Sequence, residues 1–241
     1  NKNYPYLKST THQSLDPDVK SNIIQNIKAL LLANISVYFI FGTDNLLLSL
    51  LTHVSIVGIY SNYTLIFNAV KGFMSQVFVG TTASFGNLLA SDAGLEEADR
   101  IFKIMFFINF WLSTFCSAAL LLLINPFINL WIGSSMLLSG LIVVILVFNF
   151  YSDTMRSAVE LVKSAAGLYS PYPFFKYWIV VEAILNLLLA IIFAGGLKMG
   201  MTGIFLATSI STFIPTYIIP WNIYKYVFGK SSKEFYLKHI L

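Results

Sequence analysis

Six stretches of the 241-residue chain are long and apolar enough to predict spanning helices: roughly 27–51, 55–90, 101–124, 137–160, 174–195 and 201–227. The second exceeds what one perpendicular crossing needs, so it is expected to protrude, tilt or bend near Gly72 or Gly80. Asn125-Pro126 and Pro171/Pro173 read as helix stops. The pattern predicts an all-α integral membrane protein with a six-transmembrane-helix bundle over 27–228. Residues 1–26 read as a polar cytoplasmic loop. The basic tail, 229–241, reads either as a segment drawn to anionic lipid or as an unstructured charged end.

Composition narrows the class. The chain is 57% hydrophobic and only 11% charged, against about 25% charged in soluble domains, and its mean hydropathy is +0.75. A net charge of +4 in such a chain is topology rather than a nucleic-acid signal. All but two of the 15 Lys and Arg fall in 1–28, 90–103, 156–176 and 225–241. The exceptions are Lys198, in an alternate loop, and Lys71, inside a helix. The positive-inside rule then places both termini in the cytoplasm of a multi-pass protein, and an even helix number agrees. Trp131 in an outer loop and Trp178 and Trp221 near inner helix ends fit as interfacial anchors. The single cysteine, Cys116, excludes an intrachain disulfide and reads as a small hydrophobe. With Asn1 first and no secretory signal, the chain is expected to be part of a longer protein.

Charges inside the apolar stretches need a reason. In FGTDNLLLSL (41–50), Asp44 has Lys28 and Lys71 as its nearest charged residues in sequence. It lies about 26 Å along its helix from the cytoplasmic start. Asp44, Lys71 and Glu182 would each cost on the order of 3 kcal/mol facing lipid. Their sum is comparable with a domain's net stability, so they are expected to face protein or a wet cavity. Ser61, Thr64, Asn68, Lys71, Ser75 and Thr82 recur at helical spacing and form one polar stripe. The stripe is either a packing face of small polar residues or a cavity lining. Lys71 at its centre would attract an anion such as phosphate, or pair with Asp44. Glu182 and Asn186 share a face and suit an ion or proton relay, a gate, or a bond to a neighbouring helix. Arg156 can pair with Asp153 and Glu160 on its own helix, near the inner interface.

Enzyme signatures are missing from the sequence. His12, His53 and His239 are scattered, no Cys/His metal spacing occurs, and there is no P-loop, dinucleotide fingerprint or nucleophile elbow. No enzymatic activity, cofactor, metal or nucleic-acid partner is expected.

KALLLANISVYFIFGTDNLLLSLLTHVSIVGIYSNYTLIFNAV (28–70) resembles the seventh and eighth helices of bacterial polysaccharide flippases, through Lys28–Leu31, Thr43–Ser49 and Gly58–Tyr63. YPYLKS (4–9) resembles the loop between that family's two lobes. Residues 181–212 resemble its eleventh and twelfth helices, through Glu182, Asn186, Gly200, Gly203 and Thr208. The stretch 101–150 matches in hydropathy alone. The resemblance implies the multidrug/oligosaccharidyl-lipid/polysaccharide exporter superfamily, with this chain as the C-terminal lobe of a two-lobe transporter whose N-terminal lobe is absent. It implies flipping of polyprenyl-pyrophosphate-linked oligosaccharide from the inner to the outer leaflet of the bacterial cytoplasmic membrane, for O-antigen or capsule assembly. Membrane lipids, the other lobe and polysaccharide polymerase machinery would be its partners. Asp44, Asn45, Asn68, Lys71, Glu182 and Asn186 are then the expected cavity residues. Asp44 would couple transport to an ion or proton gradient, or position Lys71, and Lys71 would attract the pyrophosphate. A drug/cation antiporter of the same superfamily and a membrane polysaccharide polymerase or ligase are the alternatives.

Overall fold

A computed structural model describes residues 16–51, 54–91, 94–167 and 173–230. Segment 4–9, the three histidines, Pro171 and the tail beyond Lys230 lie outside the described residues. The described chain is helical, with no strand among the described residues. In order the elements are α1 (Pro17–Leu51), α2 (Val54–Val79), α3 (Thr82–Leu89), α4 (Gly94–Ile132), a 3₁₀ turn (Ser134–Met136), α5 (Gly140–Met155), α6 (Ser157–Ala165), α7 (Pro173–Ala190), a π turn (Ile191–Gly196) and α8 (Gly200–Tyr226).

Among the described residues, four helical stretches are long and apolar enough to cross a membrane: Gly94–Ile132, Gly140–Ala165, Tyr177–Gly196 and Gly200–Tyr226. Their outward faces carry large apolar side chains such as Phe115 and Leu122, both 71% exposed. A soluble protein would bury such a face, so the architecture is that of an all-α membrane protein.

Several boundaries differ from the hydropathy pattern. The expected bend in the second stretch falls at Gly80–Thr81, where α2 stops and α3 begins. Helix α1 starts at Pro17, within the segment read as a loop; proline suits a helix's first turn because its missing N–H would be unpaired there anyway. Pro173 opens α7 in the same way. Asn125-Pro126 does not stop α4, which continues to Ile132. An internal proline costs about 3 kcal/mol. Ile124 and Ile128, both buried, pack the flanking turns into the core and offset that cost.

The core has two parts. One gathers Tyr63, Phe67, Ile124, Ile128, Leu146, Phe150, Ile204 and Phe205, from α2, α4, α5 and α8. The other gathers Phe78, Phe85, Phe102, Val159, Val162, Ile223 and Phe228, toward the basic end of the bundle. Helix α8 is central and packs on α1, α5, α6, α7 and the π turn. Gly203 permits the last contact, since a Cβ there would lie 2.8 Å from the Phe193 carbonyl carbon. Before α8 the chain turns through Lys198 and Gly200, both with left-handed φ (54° and 56°).

Polar nodes tie the two ends. In one, the Tyr63 hydroxyl donates to Asn125 Oδ1 (2.6 Å) and accepts the Leu138 N–H (2.9 Å), joining α2 and α4 to the chain entering α5. At the basic end, buried Asp99 accepts from Tyr224 Oη (2.7 Å), Lys103 Nζ (2.9 Å) and Lys230 Nζ (2.8 Å). That joins the start of α4 to the end of α8.

Candidate functional site

Asp44 is buried on α1, 5% exposed, against α8. Its Oδ2 accepts from Thr208 Oγ1 (3.1 Å). Thr208 Oγ1 in turn accepts from Asn186 Nδ2 on α7 (3.0 Å), which also donates to Ser211 Oγ (3.3 Å). Three helices thus meet at one polar site inside an apolar bundle. Among the described residues, Asp44 Oδ1 and Asn186 Oδ1 are buried there without a hydrogen-bond partner. Leaving such oxygens bare costs about 1–3 kcal/mol each, more for a charged one. Pro215 lies four residues past Ser211, so the Ser211 carbonyl cannot receive the usual helical N–H. A carboxylate, an amide oxygen and two hydroxyls form an all-oxygen donor set. That set can hold a proton on Asp44 or a hard monovalent cation among the oxygens.

A second constellation lies nearer the basic end, where α5 gives way to α6 at Arg156. Asn109 of α4 creates the opening for it. Its Nδ2 donates to the Thr154 and Met155 carbonyls (both 3.0 Å), which close α5. The chain then presents Asp153 to α2 and Arg156 to α7. Lys71 forms an ion pair with Asp153. Arg156 makes a bidentate pair with Glu182, Nη1 to Oε1 at 2.8 Å and Nη2 to Oε2 at 3.1 Å. Glu160 accepts from buried Lys163 (2.7 Å). Three cations and three carboxylates are matched, as a low-dielectric interior demands.

These pairings differ from two expectations. Lys71 pairs with Asp153 and not with Asp44, which accepts from Thr208 instead. Arg156 bonds Glu182 across helices, while Asp153 and Glu160 of its own helical turn are engaged by Lys71 and Lys163. Arg156 meets Glu182 where both are shielded from screening water, while Glu160 keeps a partner on its own helix in Lys163. Glu182 and Asn186, one turn apart and both buried, serve different constellations. Asn45, beside Asp44, is exposed.

The α2 stripe points away from the core. Ser61 and Asn68 are exposed, and Thr64, Lys71 and Ser75 are half-buried, while Tyr63, Phe67 and Met74 are buried on the other face. Sequence reasoning passed over Asn109, Ser211 and Asp99. Asn109, Ser113 and Ser117, all buried on α4, were visible as polar residues at four-residue spacing. Among the described residues, no cluster of metal-ligating His, Cys, Asp or Glu occurs.

No family model, curated protein or solved structure matches the chain.

Proposed function

We propose that this chain is a six-helix lobe of a two-lobe transporter that flips polyprenyl-pyrophosphate-linked oligosaccharide across the bacterial cytoplasmic membrane, with both termini cytoplasmic. In this reading α1, α2, α4, α5–α6, α7 and α8 are the six crossings. The observation that carries transport is the Asp44–Thr208–Asn186 site. A buried carboxylate beside unpartnered oxygens is costly in an apolar bundle, and its use is to take up and release a proton or cation. The exposed polar face of α2, with Lys71 on it, supports a wet cavity completed by a second lobe. The substrate class rests on the resemblance of residues 28–70 and 181–212 and on the fit of a lysine to a pyrophosphate.

The test is a strain deleted for the gene, assayed for surface polysaccharide and for the sidedness of its lipid-linked repeat unit. Loss of polymer with repeat units held on the cytoplasmic leaflet is expected. Repeat units that reach the outer leaflet but stay unpolymerised would point to a polymerase instead. The Asp44 site suits a drug/cation antiporter equally, and unchanged polymer with altered drug efflux would favour it. Asp44→Asn, which keeps the Thr208 bond but removes the charge, is expected to cut gradient-driven transport at least tenfold while the protein still folds. Transport at the wild-type rate would remove Asp44 from the coupling role.

A further inference from the structure

We propose that Asp153 is a built-in competitor for the anionic group that Lys71 receives, so that a pyrophosphate-bearing lipid binds by displacing Asp153 and leaves when Asp153 returns. This rests on the reading of Lys71 as the pyrophosphate-binding cation.

Three observations carry it. The Lys71–Asp153 pair is half open, with side-chain exposures of 37% and 36%, whereas Glu182 of the neighbouring pair is 1% exposed. A ligand can therefore reach Lys71 but not the Arg156–Glu182 pair. The pair also lies on the open face of α2, beside exposed Asn68 and half-buried Ser75, the face the core leaves free. Finally, a displaced Asp153 is not stranded. Arg156 follows one turn later, within electrostatic reach of Asp153 as well as of Glu182 and Glu160. A guanidinium has five N–H donors, of which Glu182 uses two. Asp153 can swing from Lys71 to Arg156 while the ligand holds Lys71. No cation is left bare at any stage, which keeps the exchange affordable in a low-dielectric setting.

A carboxylate of this kind weakens ground-state binding and speeds release. The test is titration of inorganic pyrophosphate into the full chain in phosphatidylcholine nanodiscs. Asp153→Asn is expected to bind about threefold to tenfold more tightly than wild type, and Asp153→Glu to restore wild-type affinity. Lys71→Gln is expected to lose binding in either background. If Asp153→Asn and Asp153→Ser bind no more tightly while Lys71→Gln loses binding, the competitor role is overturned and the anion-binding reading of Lys71 stands. If Lys71→Gln binds like wild type, both fail. Polyprenyl pyrophosphate should show the same gain and the uncharged polyprenol none; a gain confined to inorganic pyrophosphate overturns the lipid-linked ligand. Infrared difference spectra of the unsubstituted chain are expected to show a carboxylate stretch that shifts on adding pyrophosphate. Its absence at saturation overturns the proposal without recourse to a variant.

Discussion

Glu182 is nearly inaccessible, and its bidentate partner Arg156 is 15% exposed. Removing Glu182 leaves Arg156 buried without its bidentate partner. Glu182→Gln is expected to destabilise the chain by about 3–5 kcal/mol, read as a lower melting temperature in detergent. The double change Arg156→Met with Glu182→Leu should recover most of that loss, because neither charge is then left without a partner. An unchanged melting temperature in Glu182→Gln would mean that water, Asp153 or Glu160 compensates Arg156. At this scale the sequence reveals the need but not the partner. Hydropathy alone says that Asp44, Lys71 and Glu182 must avoid lipid. Which group meets each depends on how α2, α5 and α7 cross, and no sequence spacing encodes that. Lys71 and Asp153 are 82 positions apart.

Helices have local rules that packing can overrule, and α4 illustrates this. The proline at 126 reads as a stop, yet Ile124 and Ile128 hold the helix together from both sides. Helix α2 illustrates the reverse. Its end at Gly80 was legible because glycine and two threonines interrupt the apolar run, and Thr81 and Thr82 both donate to the Phe78 carbonyl. The Arg156 break was not legible, because its cause, Asn109, sits on another helix. The joint between the π turn and α8 yields a sharp expectation. Gly203→Val must push α8 off backbone atoms of Phe193 and Ala194, at a cost of about 1–3 kcal/mol or more. Since α8 carries Thr208 and Ser211, the same substitution should reduce gradient-driven transport beyond what loss of folded protein explains. Tyr63→Phe removes a hydroxyl that both gives and takes a bond, and should cost about 1–3 kcal/mol while transport per folded molecule stays unchanged.

For the molecule as a whole, the charge asymmetry makes a topological prediction. In a Cys116→Ser background, Ser134→Cys on the 3₁₀ turn should react with a membrane-impermeant thiol reagent in intact cells. Ser91→Cys, in the turn before α4, should react only after permeabilisation. Both serines are exposed, so access and not burial decides the result. Labelling of both from outside would contradict the six-crossing arrangement. The all-α membrane architecture was legible because composition and hydropathy depend little on detail. The two buried polar sites were legible only as a list of misplaced charges.

Helix α1 is 35 residues long, about 52 Å at the helical rise, and Asp44 lies near one end of it. Its length suits it to act as a lever. If the Asp44 contact with α8 is the fulcrum, a tilt of about 10° sweeps the Pro17 end by about 7 Å. In the proposed six-crossing arrangement, occupancy of a site only a few ångströms wide would then be legible as a displacement on the far side of the membrane. A pair of spin labels, one at Val19 and one at Ser164 on α6, would work as a dial whose reading follows the charge on Asp44.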